Sequence, residues 1–265
     1  MSDLRPFLDV CERASRAGGA VLLDWAGRFQ VHEKGPADLV TEADLASQDT
    51  VRKILLDAFP DHGFLGEENL SIPPSADGYR WIVDPLDGTT NYVHAIPHFC
   101  VSIALEHHGR LVVGTVYDPV ADECFTAIAS GGAFVNGRPL QTSGVTRLDQ
   151  AVAAMSFPAR LQRESPELDE FCVVAVEAQT MRRFGSSALN LCYVAAGRFD
   201  VYWASSTKIW DIAAGVLMVL EAGGIVTDRS GIPFRIDRPQ VVAASTTELH
   251  ANLQGALAQA ARRRK

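Results

Sequence analysis

The segment Trp81-Ile82-Val83-Asp84-Pro85-Leu86-Asp87-Gly88-Thr89-Thr90-Asn91 reads as a buried strand that runs into a helix start. Ile82 and Val83 are β-branched and follow an aromatic residue, a composition that suits a buried strand. Asp84 closes the apolar run, and Pro85, with no N–H to give, stops the ladder there. A second carboxylate, Asp87, comes three residues on, and Gly88-Thr89-Thr90-Asn91 forms a turn able to open a helix. Two acids at a strand end, beside the free N–H groups of a helix start, can hold cations and an anion together. That combination suits a metal-bound phosphate ester. Asp, Pro, Gly and Asn are also ordinary turn residues, so the segment alone describes a surface turn equally well.

On the N-terminal side, Leu4, Phe7, Leu8, Cys11, Ala14, Gly18, Val21, Leu22 and Trp25 recur at steps of three and four. This spacing predicts a long amphipathic helix that ends near Gly27. Lys34-Gly35-Pro36-Ala37-Asp38 reads as an exposed polar loop. Thr41-Glu42-Ala43-Asp44 then has the spacing of a capping box for a second helix, which Pro60 stops. Asp44 is accounted for by capping alone. Phe64-Leu65-Gly66 leads into Glu67-Glu68, and Ser71 to Gly78 reads as a loop before the strand at Trp81.

Beyond Asn91 the pattern becomes one of consecutive strands with short turns, around 99–105, 111–117, 124–128 and 133–135. Asn136-Gly137 is the clearest hairpin signal. An antiparallel sheet covered by the two N-terminal helices follows. From about residue 146 strands and helices alternate, as in an α/β half with some parallel pairing. A helix is expected over 165–179 with Ser165 as its cap, and Ser245-x-x-Glu248 reads as the capping box of the last one. The expected boundary lies within Gln141–Asp149, dividing the chain into 1–145 and 146–265.

A net charge of −8, from 24 Lys and Arg against 32 Asp and Glu, argues against a general nucleic-acid binder. It leaves room for a phosphorylated substrate, whose bound cations would reverse the local sign. The five cysteines are scattered, with no CxxC pair, so neither a disulfide framework nor a thiolate zinc site is expected. His94/His98 and His107/His108 give no zinc signature either. No signal-like start or membrane-length apolar run is present, and the expected setting is cytoplasmic, without membrane contact.

Three acidic clusters remain: Glu67-Glu68, Asp84 with Asp87, and Asp211 in Trp210-Asp211-Ile212-Ala213-Ala214-Gly215 at another helix start. If Glu67, Asp84, Asp87 and Asp211 converge, their oxygens suit a pair of Mg²⁺ ions of the kind that phosphatases use. Asp211 is also explained as an acid favoured by a helix dipole. The chain has no Gly-x-x-x-x-Gly-Lys loop, no G-x-S-x-G elbow and no dinucleotide fingerprint.

Asp84-Pro85-Leu86-Asp87-Gly88-Thr89-Thr90-Asn91 resembles the first signature of the inositol monophosphatase family, and Trp210 to Gly215 resembles its second. Gly66-Glu67-Glu68 matches the acidic motif ahead of them, and Lys34 to Asp44 is similar to the family's N-terminal loop and helix. The resemblance covers nearly the whole chain. It implies a layered αβαβα sugar-phosphatase fold, a homodimer, lithium sensitivity and hydrolysis of a small phosphate monoester, inositol 1-phosphate first. Fructose 1,6-bisphosphate, histidinol phosphate and a nucleotide 3′-phosphate are alternatives within the family. A catalytically silent binding or regulatory relative is the alternative of another class.

By the same resemblance Glu67, Asp84 and the Leu86 carbonyl hold one Mg²⁺, Asp84, Asp87 and Asp211 a second, and Glu67 helps with a weaker third. The Gly88 and Thr89 N–H groups receive the phosphate, Thr89 with Asp44 activates the attacking water, and Gly185, Ser186 and Ser187 line the substrate pocket. One position departs from the pattern. Inositol-selective members have a Glu seven residues before the second-signature Asp, and this chain has Ala204 there. Losing an acceptor for substrate hydroxyls bears on substrate choice and leaves the metal chemistry alone. Lys208, close by, could face a second anionic group or only solvent.

Overall fold

The computed structural model describes residues 3–35, 38–74 and 76–262. Its first layer is α1 (Arg5–Trp25) and α2 (Glu42–Ala58), joined through a hairpin of β1 (Val31–Gly35) and β2 (Asp38–Thr41). The expected polar loop at Lys34–Asp38 is therefore largely paired strand, while Pro36 and Ala37 lie outside the described residues. Thr41 caps α2 as its spacing predicts. Its hydroxyl accepts the Ala43 N–H, and Asp44 accepts the Thr41 N–H in return.

The second layer is an eight-stranded sheet. It contains β3 (Gly63–Gly66), β4 (Leu70–Ile72), β5 (Tyr79–Asp87), β6 (Cys100–His107), β7 (Arg110–Asp118), β8 (Glu123–Ile128), β9 (Gly132–Val135) and β10 (Arg138–Pro139). The spatial order is β10-β9-β8-β7-β6-β5-β3-β4. Every pair is antiparallel except β3 with β5, which run parallel. The Ser71–Gly78 loop begins inside β4. Asn136 and Gly137 both have positive φ, the left-handed pair that a tight hairpin between β9 and β10 needs.

Pro85 does not end the central strand. The register of β5 on β6 breaks between Asp84 and Asp87 and resumes where Asp87 pairs with Cys100. A bulge absorbs the missing N–H, so both acids stay anchored to the sheet. The short α3 (Thr89–Val93) follows directly.

The second sheet has β11 (Val152–Ser156), β12 (Thr180–Arg182), β13 (Val201–Ala204), β14 (Ile225–Thr227) and β15 (Val241–Ala244), in the order β12-β11-β13-β15-β14. β11 runs parallel to both β12 and β13, and the other pairs are antiparallel. Helices α5 (Ser187–Ala195) and α6 (Ile209–Glu221) lie between the sheets, in a buried cluster holding Ile82 and Phe125 from one sheet and Tyr202 and Val241 from the other. Helices α4 (Pro166–Glu177) and α7 (Thr247–Arg262) cover the far face through Val174, Leu249 and Leu253. The expected αβαβα layering is the observed one, with mixed rather than purely antiparallel or parallel sheets.

Two expected caps differ. Thr246, not Ser245, accepts the Leu249 N–H at the start of α7, and the hydroxyls of both donate to the Val145 carbonyl. The Ser165 side chain accepts the Gln162 N–H and leaves α4 without a side-chain cap. Among the described residues no helix is long and apolar enough to cross a membrane.

Candidate active site

Three elements deliver four acids to one pocket of about 300 Å³. Glu67 comes from the end of β3, Asp84 and Asp87 from the bulged end of β5, and Asp211 from the first turn of α6. Leu86, Gly88, Thr89, Gly185 and Ser187 line the same cavity. Glu67 and Asp211, 144 positions apart, thus meet where strands end and helices start. A larger cleft of about 580 Å³ near Leu65 and Phe234 holds the ion pairs Arg80–Glu106 and Arg235–Asp237. Its charges are already satisfied, so the smaller pocket holds the candidate chemistry.

The acids are crowded in a dry setting. Asp84 is 2% exposed, and burial, followed by the nearby charges of Glu67, Asp87 and Asp211, pushes its carboxyl well above the usual range. Its Oδ1 accepts the Leu86 N–H at 3.0 Å, and Glu67 is in hydrogen-bonding contact with it. Burial raises Asp87 to about 6 even though Ser186 and the first N–H groups of α5 oppose the shift. Asp211 is raised to about 8, by burial first and then by Asp87. Buried carboxylates this close need protons or cations to remain together.

Each acid is also held by the protein. Asp87 accepts from the Ser186 hydroxyl at 2.5 Å and the Ala188 N–H at 2.8 Å. Asp211 accepts the Lys208 N–H at 2.8 Å, the capping role that its helix position allows. In this arrangement, and among the described residues, no three Asp, Glu, His or Cys side chains form a group ready to hold an ion. The expected convergence is therefore one of shared pocket, with the carboxylates turned onto protein donors. The donor set, all hard oxygens with excess negative charge, fits Mg²⁺ or a similar cation.

Thr89 stands between two acceptors: its Oγ1 is 3.1 Å from the Leu86 carbonyl and 3.4 Å from Asp44 Oδ1. Asp44 itself is fully buried behind Thr89, outside the pocket wall. Gly88 has φ +99°, and a Cβ there would lie 3.1 Å from the His98 carbonyl, so the turn into α3 demands glycine. Ser186, expected in the pocket wall, is also fully buried. It sits behind Asp87 and caps α5 by accepting the Leu189 N–H.

Several lining residues had not been singled out: Leu39, Ser156, Phe157, Ala159 and Arg183. Ser156 ends a strand that the sequence pattern does reveal, and the C-terminal ends of strands are where ligands gather in such sheets. Asn91 also proves structural. Its amide donates to the His98 carbonyl at 2.8 Å and the Phe184 carbonyl at 2.6 Å, tying α3 to the loop before α5.

A layered αβαβα fold with an acidic pocket between its two sheets defines the sugar-phosphatase class. Within that class the chain belongs to the inositol monophosphatase family, whose model matches residues 3–264. An inositol-1-monophosphatase of Mesorhizobium japonicum is 42% identical over 240 residues, covering 89% of this chain and 90% of that protein. The Nus factor SuhB of Pseudomonas aeruginosa is 40% identical over 251 residues, covering 92% and 93%. Among solved structures, the extragenic suppressor protein suhB of Bartonella henselae superposes with a TM-score of 0.90 at 43% identity, over 94% of this chain and 97% of that one. Inositol monophosphatase from Anabaena gives 0.87 at 40% identity, over 97% and 96%.

Proposed function

We propose that this protein is a Mg²⁺-dependent phosphatase that hydrolyses a small phosphate monoester. The observation that carries the reading is the meeting of Glu67, Asp84, Asp87 and Asp211 in one pocket beside the Gly88–Thr89 turn. Family membership supports it, as do relatives named inositol-1-monophosphatase.

In this reading Glu67, Asp84, Asp87, Asp211 and the Leu86 carbonyl would hold the cations. Mg²⁺, when bound, would supply charge neutralisation and a more acidic water. The Gly88 and Thr89 N–H groups orient the phosphate. The Thr89 hydroxyl, backed by the buried Asp44, positions the attacking water and passes on its proton. The water oxygen bonds to phosphorus as the ester P–O bond breaks, and the departing alkoxide takes up a proton, giving inorganic phosphate and an alcohol. Asp44 serves Thr89 from behind, and Ser186 holds Asp87 in place.

The test is a panel of phosphate monoesters assayed with Mg²⁺, with and without lithium, inositol 1-phosphate being the reference compound. Asp87→Asn or Asp211→Asn is expected to abolish turnover with the fold intact; full activity in either variant would overturn the assignment. Light scattering will check the homodimer that belongs to this reading. Relatives named Nus factor SuhB favour a second reading, a regulatory binding role. A wild type that turns over none of the panel, yet captures a partner protein that Asp84→Asn also captures, would select it.

A further inference from the structure

The pocket has a cationic wall that neither the metal chemistry nor the phosphate turn uses. Arg183, in the loop between β12 and α5, lines the cavity together with Phe157, and its guanidinium carbon stands 5.4 Å from the centre of that ring. Many of this acidic chain's arginines are bound to a carboxylate, as Arg16 is to Asp122, Arg80 to Glu106 and Arg198 to Glu123. Among the described residues Arg183 has no acidic partner; its one recorded contact is the ring. The leading charges on Asp84, Asp87 and Asp211 come from one another, from Glu67 and from Lys208.

A guanidinium braced on an aromatic face keeps its planar fork of donors free, and that fork matches an oxyanion. Nearby, Ala204 pairs in register with the pocket-lining Ser156 and is only 2% exposed, so this position of β13 offers a substrate no carboxylate. The site therefore has an unpaired guanidinium for an oxyanion, while its Ser156 and Ser187 hydroxyls are already engaged by the Tyr202 hydroxyl.

We propose that Arg183, seated on Phe157, is the specificity-determining residue of this pocket. It selects phosphate monoesters that carry a second oxyanion, a phosphate or a carboxylate, over uncharged polyol monophosphates. The proposal rests on the phosphatase reading for the reacting phosphate and on Arg183 for the remainder of the substrate.

The experiment uses the full chain with Mg²⁺ and three probes: fructose 1,6-bisphosphate, 3-phosphoglycerate and inositol 1-phosphate. Wild type is expected to show its highest kcat/KM on one of the two doubly charged probes, and the better of them tells phosphate from carboxylate. Arg183→Met should lower the ratio of kcat/KM for that probe over inositol 1-phosphate by about 10- to 100-fold, mainly through KM, as expected for lost charged hydrogen bonds. Arg183→Lys should recover part of the ratio. Arg182→Met should not move it, because Arg182 is bonded to Thr180 and the Met181 carbonyl and lies outside the pocket. An unchanged ratio in Arg183→Met, or a wild type that prefers inositol 1-phosphate, overturns the proposal. If wild type hydrolyses none of the three, the phosphatase reading fails separately. Calorimetry with the same probes and Ca²⁺ then decides whether Arg183 still discriminates between them.

Discussion

Asp44 meets two demands with one carboxylate. Oδ2 accepts the N–H and hydroxyl of Thr41 at the start of α2, while Oδ1 faces the Thr89 hydroxyl. The capping reading and the catalytic reading of this residue are thus compatible, and the cap explains how a fully buried acid is held still. Asp84 shows the opposite balance: it is buried beside Glu67, Asp87 and Asp211, a crowding of carboxylates that opposes its ionisation. Asp84→Asn keeps the Oδ1 acceptor for the Leu86 N–H but removes a buried charge. In EDTA its melting temperature is expected to rise by a few degrees over wild type, about 1 kcal/mol in a chain of this size, while Mg²⁺ stabilises wild type only. Equal melting points in EDTA would mean the acid cluster carries no such strain. His98 gives a pH-dependent term. Its ring is largely buried against Phe184 and Tyr193, Nε2 has no partner among the described residues, and burial lowers its pKa to about 4. The unfolded chain binds the proton first, so stability is full above about pH 6.5 and is lost as pH falls toward 4. His98→Phe should lack this loss. The gap between wild type and variant in urea melts should widen from pH 7 to pH 4 by up to about 2–3 kcal/mol, allowing for the ring's partial exposure.

At the scale of elements, the long helices and central strands were legible because their apolar period is strong and their caps are local. The short pieces were not. β1 and β4 pair with their chain neighbours β2 and β3, and β12 with the more distant β11, but strands this short carry too little alternation for a sequence pattern to show them. The Pro85 bulge is a similar case: a proline rule that holds for regular ladders gives way where a bulge is tolerated. For the site, the signature motifs located the acids, but Arg183 and Phe157 come from loops whose composition says nothing of what they face. Helices α5 and α6 aim Ser187 and Asp211 at the pocket, so their spacing matters. A Cβ added to Gly215 would meet the Leu191 Cβ at 2.6 Å, and one added to Gly114 would meet the Ala214 backbone at 3.2 Å. Gly215→Ala should force the two helices apart at a cost of about 1–3 kcal/mol and lower kcat as the site widens. An alanine variant with wild-type melting and activity would show that the helix pair can yield at the Gly215–Leu191 contact without loss.

For the whole molecule, the division near residue 145 is best regarded as a change of sheet rather than a break between folding units. The buried cluster around α5 and α6 draws Ile82, Phe125 and Ala127 from the first sheet and Tyr202, Val241 and Ala243 from the second. Cutting the chain there would leave the first sheet covered by α1 and α2 alone, and would expose on the C-terminal half the side of α5 and α6 that packs against Ile82, Phe125 and Ala127. The connecting segment is itself tied down: the Thr142 N–H donates to the Ala222 carbonyl, its hydroxyl to the Ser245 carbonyl, and the Ser143 hydroxyl to Asp200. The pocket is split in the same way, Glu67, Asp84 and Asp87 lying on one side and Asp211 and Arg183 on the other. Residues 146–265 expressed alone are therefore expected to melt without a cooperative transition and to bind a dye for exposed apolar surface, whereas co-expression with residues 1–145 should restore both cooperativity and any Mg²⁺-dependent activity. A sharp, dye-silent melt of the C-terminal piece by itself would instead establish two independent domains, with the active site formed as an interface between them.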